Sequence, residues 1–178
     1  RRRRRAQRPR GPPAWSHRLR WASAGRLGER GGGFANARGK TAKMRIFLDA
    51  SILVEACLAQ SPQFAAADAL VRTSAAVTSA HALAEAYATL SGDGRLKIRP
   101  GDAAQMIGEV AQGLHLHALP AKAYLALIED APAKGIRGGS IFDGIHAQTA
   151  RENRCTEIRT LNVRHFQHVS PDLAVRGL

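Results

Sequence analysis

The chain has 178 residues, of which 44% are hydrophobic and 5% aromatic, and its formal net charge is +13. This length predicts one domain that is large enough to bury a hydrophobic core. No apolar run approaches the roughly 18–20 residues of a membrane span, and no secretory signal pattern follows the basic N-terminus. We therefore expect a soluble protein with no membrane partner.

The excess positive charge lies entirely in the first quarter of the chain. Residues 1–43 contain 14 of the 27 Lys and Arg residues and a single acidic residue. Residues 44–178 contain 13 basic and 13 acidic residues and are therefore neutral overall. The net charge of the whole chain does not indicate that its folded part is a basic, nucleic-acid-binding domain.

Residues 1–43 are rich in Arg, Gly and Pro, and their apolar residues follow no period, so we expect a disordered segment. Two interpretations stay open. Arg residues interleaved with Trp15 and Trp21 would support RNA binding through phosphate attraction and base stacking. Alternatively, the segment is not part of the natural protein, because Met44 stands directly before the first strand-like run and a start codon assigned too early gives this pattern.

The two cysteines, Cys57 and Cys155, are far apart in the sequence and form no Cys-x-x-Cys motif. Neither a disulfide framework nor a thiolate zinc site is expected from this spacing. We interpret both as small buried apolar side chains, and we expect the protein to reside in the reducing cytoplasm.

Residues 44–178 alternate short apolar runs with helical patterns, which is typical of βαβ units around a parallel sheet. The predicted strands are residues 45–48, 75–78, 114–118, 156–161 and a last strand near 168–169. The predicted helices are residues 51–59, 62–72, 80–90, 100–112, 122–130 and 140–153, with a short turn at 163–166. We predict an α/β fold over residues 44–178, a three-layer α/β/α sandwich with a central parallel sheet.

Three acidic residues stand at suggestive places in this pattern. Asp49 follows the first predicted strand, Glu85 lies in a mostly apolar helix, and Asp143 lies where a Gly-rich loop enters a helix. Each has an ordinary structural explanation: Asp49 caps a helix, Glu85 is a solvated charge, and Asp143 forms a capping box with Ser140.

Taken together, the same three acids indicate a metal site. The carboxyl ends of parallel strands meet at one edge of a sheet, where open α/β folds place their ligands. Clustered carboxylates are tolerated when a hard divalent cation neutralises them, and Mg²⁺ or Mn²⁺ prefers such oxygen ligands. Metal ions bound there would activate water and clamp a phosphodiester.

Four segments in this order resemble the successive motifs of PIN domains, most closely those of the VapC-like ribonuclease toxins of bacterial toxin–antitoxin pairs. They are FLDAS at 47–51, SAHALAEAYATL at 79–90, SIFDGIHAQTARENRC at 140–155 and TLNVRHF at 160–166. The resemblance covers essentially all of residues 44–178. It implies an endoribonuclease that depends on Mg²⁺ or Mn²⁺, forms a homodimer and is inhibited by a cognate antitoxin.

On this resemblance, Asp49, Glu85 and Asp143 match the three principal acidic residues of the family. Ser51 falls where the family often has a polar residue beside the first acid. The resemblance therefore implies that the three acids hold the metal and carry the catalysis.

The last motif departs from the family pattern. Many relatives carry a fourth acid there, whereas this chain has Asn162 and His165. Asn162 retains a neutral oxygen that can ligate a metal or hold a water, and His165 and Arg164 are candidates to contact RNA phosphate. We expect one well-held metal, with a second recruited by substrate. The alternative is an inactive PIN-like scaffold that binds RNA or a protein partner.

Other polar residues receive smaller roles. Lys134 and Arg137 are further candidates to flank the crevice and attract RNA. His115 and His117 alternate with Leu residues on a predicted strand, and we interpret them as structural. His146 is one helical turn from Asp143 and is expected on the same side of the helix, where it can border the site, but nothing in the sequence requires a role for it.

We predict that residues 1–43 are dispensable, because they carry the whole excess charge and precede Met44. A chain that begins at Met44 should fold and cut RNA as the full chain does. Circular dichroism and an RNA cleavage assay on both chains measure this. Loss of folding, or a large loss of activity, in the shorter chain contradicts the prediction.

Overall fold

The computed structural model describes residues 44–178. Five strands in this range form one parallel sheet in the order β3-β2-β1-β4-β5. They are β1 (Arg45–Leu48), β2 (Ala76–Ser79), β3 (His115–His117), β4 (Cys155–Arg159) and β5 (Ala174–Arg176). The helices of the same range are α1 (Ala50–Cys57), α2 (Phe64–Val71), α3 (Ala80–Gly92), α4 (Pro100–Ala111), α5 (Ala121–Asp130), α6 (Ser140–Glu152) and α7 (Val163–Val169).

Strand β1 is the centre of the sheet and is covered on both faces. Phe47 and Leu48 are both fully buried, but they belong to different core clusters. Consecutive residues of a strand point to opposite faces of a sheet, so each residue fills the core on one side. A parallel strand that is buried on both faces reads as a continuous apolar run, as β1 does.

The two cores define the three layers of the fold. On one face, α1, α2, α3 and α4 pack around a cluster that includes Ile52, Leu53 and Leu90. On the other face, α6 and α7 pack against β4 and β5 through a cluster that includes Ile158 and Phe166. The predicted three-layer α/β/α sandwich with a parallel sheet is therefore confirmed.

Most predicted elements are confirmed, with boundaries that shift by at most two residues. The predicted last strand near residues 168–169 is wrong. Those residues lie in α7, and β5 pairs with β4 farther along the chain. Phe166 is buried and Val169 packs against the same cluster, and this spacing of three residues is that of a helix. Two apolar residues are too few to distinguish a short helix from a strand by period alone.

Three other expectations concern the chain as a whole. Cys57 and Cys155 are buried and free, as predicted. None of the helices in residues 44–178 is long and apolar enough to cross a membrane. The predicted disorder of residues 1–43 lies outside the described residues, and the domain boundary at Met44 stays a prediction.

We predict that Phe166→Ala lowers the free energy of unfolding by about 3–5 kcal/mol, because it removes a fully buried ring from the core between the sheet and α7. Leu125→Ala is the matched control, since Leu125 is 67% exposed on α5, and it should change the stability by less than about 0.5 kcal/mol. Urea unfolding of the three proteins measures both effects. Similar losses in the two variants would contradict this assignment of the core.

Candidate active site

An open cleft of about 890 Å³ lies at the carboxyl edge of the sheet. Its lining comes from α3, from the loop before α6 and its first turn, and from the segment that leads into α7. The polar side chains that line it include His81, Glu85, Asp143, Asn162, Arg164 and His165. The structure thus brings residues from three of the four sequence motifs to one surface, where a parallel sheet is expected to place its ligands.

Asp49, from the remaining motif, is buried behind this cleft and is only 4% exposed. Its Oδ2 accepts hydrogen bonds from the hydroxyls of Ser51, at 2.7 Å, and Thr160, at 2.8 Å. The same oxygen is 3.4 Å from the Ser51 backbone N–H, so the predicted helix cap is confirmed. Its Oδ1 lies 3.0 Å from Nδ1 of His146.

These contacts hold Asp49 in its ionised form. Burial acts to raise the pKa of Asp49, but it is outweighed by the hydrogen bond and charge of His146 and by the hydroxyls of Ser51 and Thr160. The pKa of Asp49 is therefore lowered from its ordinary value. Because the carboxylate accepts at Oδ1, Nδ1 of His146 donates this hydrogen bond, and Nε2 is the ring nitrogen left to contact another group.

Glu85 lies on α3 and does not behave as a simple solvated charge. Its Oε1 is 3.0 Å from Nε2 of His81, one helical turn earlier, and its Oε2 is 3.9 Å from Nε2 of His146. The Glu85 side chain is 31% exposed and lines the cleft. The interpretation of Glu85 as a simple solvated charge is therefore wrong.

Asp143 enters the cleft from the first turn of α6. The predicted capping box is wrong, because the Ser140 hydroxyl instead bonds the backbone N–H and C=O of Arg137. Burial raises the pKa of Asp143, and the negative charges of Asp49 and Glu85 raise it further, against the opposing effect of His146 and His165. The carboxylates of Asp49 and Glu85 are thus close enough to Asp143 to repel its negative charge.

The last motif supplies the far wall of the cleft. The backbone N–H of Asn162 donates to the Thr160 hydroxyl at 2.9 Å, whereas its side chain makes no capping bond to α7. His165 is 71% exposed, with Nδ1 at 3.8 Å from Oδ2 of Asp143, and Arg164 lines the cleft beside it. Ser51 lies deeper, where its hydroxyl accepts from the Leu161 backbone N–H at 3.0 Å.

Four other predicted side chains lie outside the lining of the cleft. Lys134 pairs with Asp130 on α5 at 3.1 Å, so its charge is already partly compensated, and Arg137 is exposed. His117 lies 3.1 Å from Glu152, which supports its structural interpretation, and His115 is exposed on β3. Arg164 is therefore the best placed of the predicted cations.

Two histidines at the site received no functional role from the sequence. His146 was expected only to border the site, yet it is 1% exposed and bonded to Asp49. His81 was not singled out at all. The usable signal was spacing: His81 precedes Glu85 by four residues and His146 follows Asp143 by three, so each histidine shares a helix face with an acid.

The donor set fits a divalent cation. Oε1 of Glu85 is buried without a hydrogen-bond partner among the described residues, and the pKa of Asp143 is raised partly by its acidic neighbours. A cation would supply the missing partner and remove the repulsion. Glu85 and Asp143 would be its carboxylate ligands, and Asn162 could contribute an amide oxygen from the same cleft.

Comparison with known structures shows the same fold in several proteins. VapBC2 from Rickettsia felis, in a structure bound to a DNA fragment from their promoter, is 19% identical with a TM-score of 0.55, covering 76% of this chain and 99% of that chain. VapBC-1 from nontypeable Haemophilus influenzae is 17% identical with a TM-score of 0.52, and the match covers 75% of this chain and 98% of that chain. Mycobacterium tuberculosis VapC20, a Sarcin-Ricin loop cleaving toxin, is 16% identical with a TM-score of 0.51, covering 64% and 86%.

At these identities the structural likeness shows the fold alone. Among curated protein sequences, none matches this chain. The family model for the PIN domain matches residues 46–170, which include every predicted acidic ligand and the whole of the last motif. The chain therefore belongs to the PIN domain family.

Proposed function

We propose that this protein is a metal-dependent endoribonuclease and the toxin of a toxin–antitoxin pair. The observation that supports this most is that the negative charges of Asp49 and Glu85 both act on Asp143, while Glu85 and Asp143 line the same cleft. These three acids come from three separate segments of the chain. Membership of the PIN family and the fold shared with VapC toxins support the same activity.

In this proposal Glu85 and Asp143 hold Mg²⁺ or Mn²⁺. The buried carboxylate of Asp49 adds its negative charge to the site. A bound divalent cation of this kind supplies an activated water and neutralises the charge that develops on the phosphate. Asn162 adds an oxygen without adding charge. The site then carries one negative charge fewer than a site with four acids, which favours one well-held metal over two.

The substrate is held by the exposed end of the cleft. Arg164 and His165 lie beside Asp143, and both are exposed. Their side chains can reach a phosphate of a single RNA strand, and such contacts position a nucleic acid without reading its bases. Because residues 44–178 are neutral overall, these two residues carry most of the attraction that we assign to the cleft.

The proposal includes the partners of a toxin. Two of the similar structures are of VapBC, and we infer that this chain likewise has a cognate antitoxin. We also propose that it forms a homodimer and works in the cytoplasm, where its two free cysteines stay reduced.

An inactive PIN scaffold that binds RNA or a protein is the second candidate. The observation that favours it is Asn162, which stands where many relatives have a fourth acid. A scaffold of this kind should bind Mn²⁺ poorly, so a titration of the full chain with Mn²⁺ separates the two candidates.

We predict that Asp49→Asn, Glu85→Gln and Asp143→Asn each lower the rate of RNA cleavage by at least about 100-fold. Removing an outer contact of a metal site costs about 10–100-fold, so Asp49→Asn should reach the upper end of this range, and Glu85→Gln and Asp143→Asn should exceed it because they remove proposed ligands. Asp130→Asn is the control, since it removes an acid that is paired with Lys134 outside the cleft. Full cleavage by the Asp143 variant, or undiminished cleavage in excess EDTA, would refute the proposal.

The Asp143→Asn protein should fold, and in EDTA it should be at least as stable as the wild type at pH 7. The pKa of Asp143 is raised in the folded state, so its ionisation costs stability as the pH rises through that pKa. Asn cannot ionise and avoids this cost. The advantage should vanish below about pH 4, where both states of the wild type are protonated. Urea unfolding against pH measures it, and a variant clearly weaker than the wild type at pH 7 argues against like-charge repulsion.

We predict that Asn162→Asp tightens Mn²⁺ binding about tenfold, which corresponds to roughly 1.4 kcal/mol, because it adds one charge to a partly solvated site. Gln167→Glu is the control: it adds the same charge to the exposed side of α7, outside the lining of the cleft. Isothermal titration of Mn²⁺ into the three proteins measures the difference. Identical affinities for the wild type and the Asn162 variant would leave Asn162 as a residue of the turn before α7.

A further inference from the structure

Three buried polar atoms beside the cleft have no hydrogen-bond partner among the described residues. They are Nε2 of His81, Oε1 of Glu85 and Nε2 of His146. The 3.0 Å contact between His81 and Glu85 lacks the alignment of a hydrogen bond. Buried polar groups are normally satisfied, and each one left unpaired costs free energy. Three such atoms at one place point to a ligand that completes them.

The three side chains are close enough to share one ion. A set of potential ligand atoms, one from each of His81, Glu85 and His146, lies within 4.8 Å of one another. Bonds of 2.0–2.1 Å to a tetrahedral metal place neighbouring ligand atoms about 3.3 Å apart. The side chains of His81 and Glu85 are partly exposed, so they have room to move toward this spacing.

His146 is held in the orientation that a metal ligand needs. Its Nδ1 is fixed by Asp49 at 3.0 Å, and its ring centroid lies 5.6 Å from that of Phe47 and 6.3 Å from that of Phe166. Nε2 is the atom left to face Glu85. A carboxylate that orients a histidine through its other nitrogen is the usual support of a histidine ligand in metal sites.

His81 gives the cluster an opening. Its side chain is 25% exposed and lines the cleft, and its ring lies 5.0 Å from that of Phe142 at the rim. An ion can therefore enter from the cleft and meet His81 first, with His146 behind it. Three protein ligands also leave a position free for a water or another molecule.

We propose that His81, Glu85 and His146 form a binding site for a divalent transition metal, with Zn²⁺ as the ion that fits best. Imidazole nitrogens suit Zn²⁺ and its neighbours in the first transition row, whereas Mg²⁺ prefers an all-oxygen set. Asp49 acts here as a positioning residue through His146. The site shares Glu85 with the carboxylates that we assign to Mg²⁺ or Mn²⁺, but it does not depend on the protein cutting RNA.

The test is metal binding by the full chain, purified without a histidine tag. Zn²⁺ and Mg²⁺ are titrated separately, and Co²⁺ serves as a coloured probe for Zn²⁺. The wild type should bind Zn²⁺ at least about 100-fold more tightly than Mg²⁺. Bound Co²⁺ should show the strong visible absorption of a low-coordinate ion with nitrogen ligands. A weak, six-coordinate Co²⁺ spectrum would overturn the proposal.

Two variants of His81 identify the ligand. His81→Ala and His81→Gln should each lower the Zn²⁺ affinity by about tenfold or more and weaken the Co²⁺ absorption, while the Mg²⁺ affinity stays the same. His115→Ala is the control, because it removes an exposed histidine of β3 that does not line the cleft. Circular dichroism verifies the fold of each protein, and the Gln variant keeps a polar side chain should Ala disturb α3.

Asp143→Asn separates this inference from the proposed nuclease. It should lower the Mg²⁺ affinity by more than about 100-fold and the Zn²⁺ affinity by no more than about tenfold, and it should leave the Co²⁺ spectrum nearly unchanged, because Asp143 acts on the histidine cluster through its charge but is not a member of it. If neither His81 variant changes Zn²⁺ binding, the inference is wrong even where the protein cleaves RNA. If both variants lose Zn²⁺ while the protein cuts no RNA, the metal site stands and the nuclease assignment fails.

Discussion

The buried carboxylate of Asp49 is the interaction on which the arrangement of the site depends. A charge that is 4% exposed must be satisfied by its surroundings, because an unpaired buried charge is very costly. Asp49 meets this requirement with partners from three places: Ser51 in α1, Thr160 after β4, and His146 in α6. The end of the central strand is thereby tied to the neighbouring strand and to the helix that carries Asp143.

The need to satisfy the buried carboxylate of Asp49 also explains why the cleft combines two kinds of ligand. Glu85 and Asp143 present oxygen atoms, and burial together with the charges of Asp49 and Glu85 raises the pKa of Asp143. His146, fixed by Asp49, presents a nitrogen, and His81 adds a second one from α3. Glu85 belongs to both groups. The ion that the cleft binds therefore depends on which ligands it shares with Glu85. The oxygens of the acids favour Mg²⁺ or Mn²⁺, and the nitrogens of the histidines favour Zn²⁺.

The sequence predicts much of this structure because its strongest signals are local. β1 is a continuous apolar run followed by Asp49, and α3 and α6 carry clear helical patterns, so the layers of the fold are predicted correctly, and Asp49, Glu85 and Asp143 lie on the elements where the sequence puts them. The histidines and the last strand depend on contacts between distant segments. His146 and Asp49 are 97 residues apart, and no local pattern shows that one will bind the other. β5 has three residues, of which only Val175 is partly buried with an apolar side chain, and this is too little for a period-2 signal.

The central claim is that the polar side chains around Glu85 bind a divalent cation. Paramagnetic broadening by Mn²⁺ in the amide NMR spectrum of the full chain tests it most directly, because the broadening reports where the ion lies whatever the protein's activity. We expect the first signals to broaden at substoichiometric Mn²⁺ to be those of Asp49, Glu85, Asp143 and Asn162, while β3 and β5 stay sharp. Broadening that begins elsewhere, or uniform broadening only at excess Mn²⁺, would contradict the account.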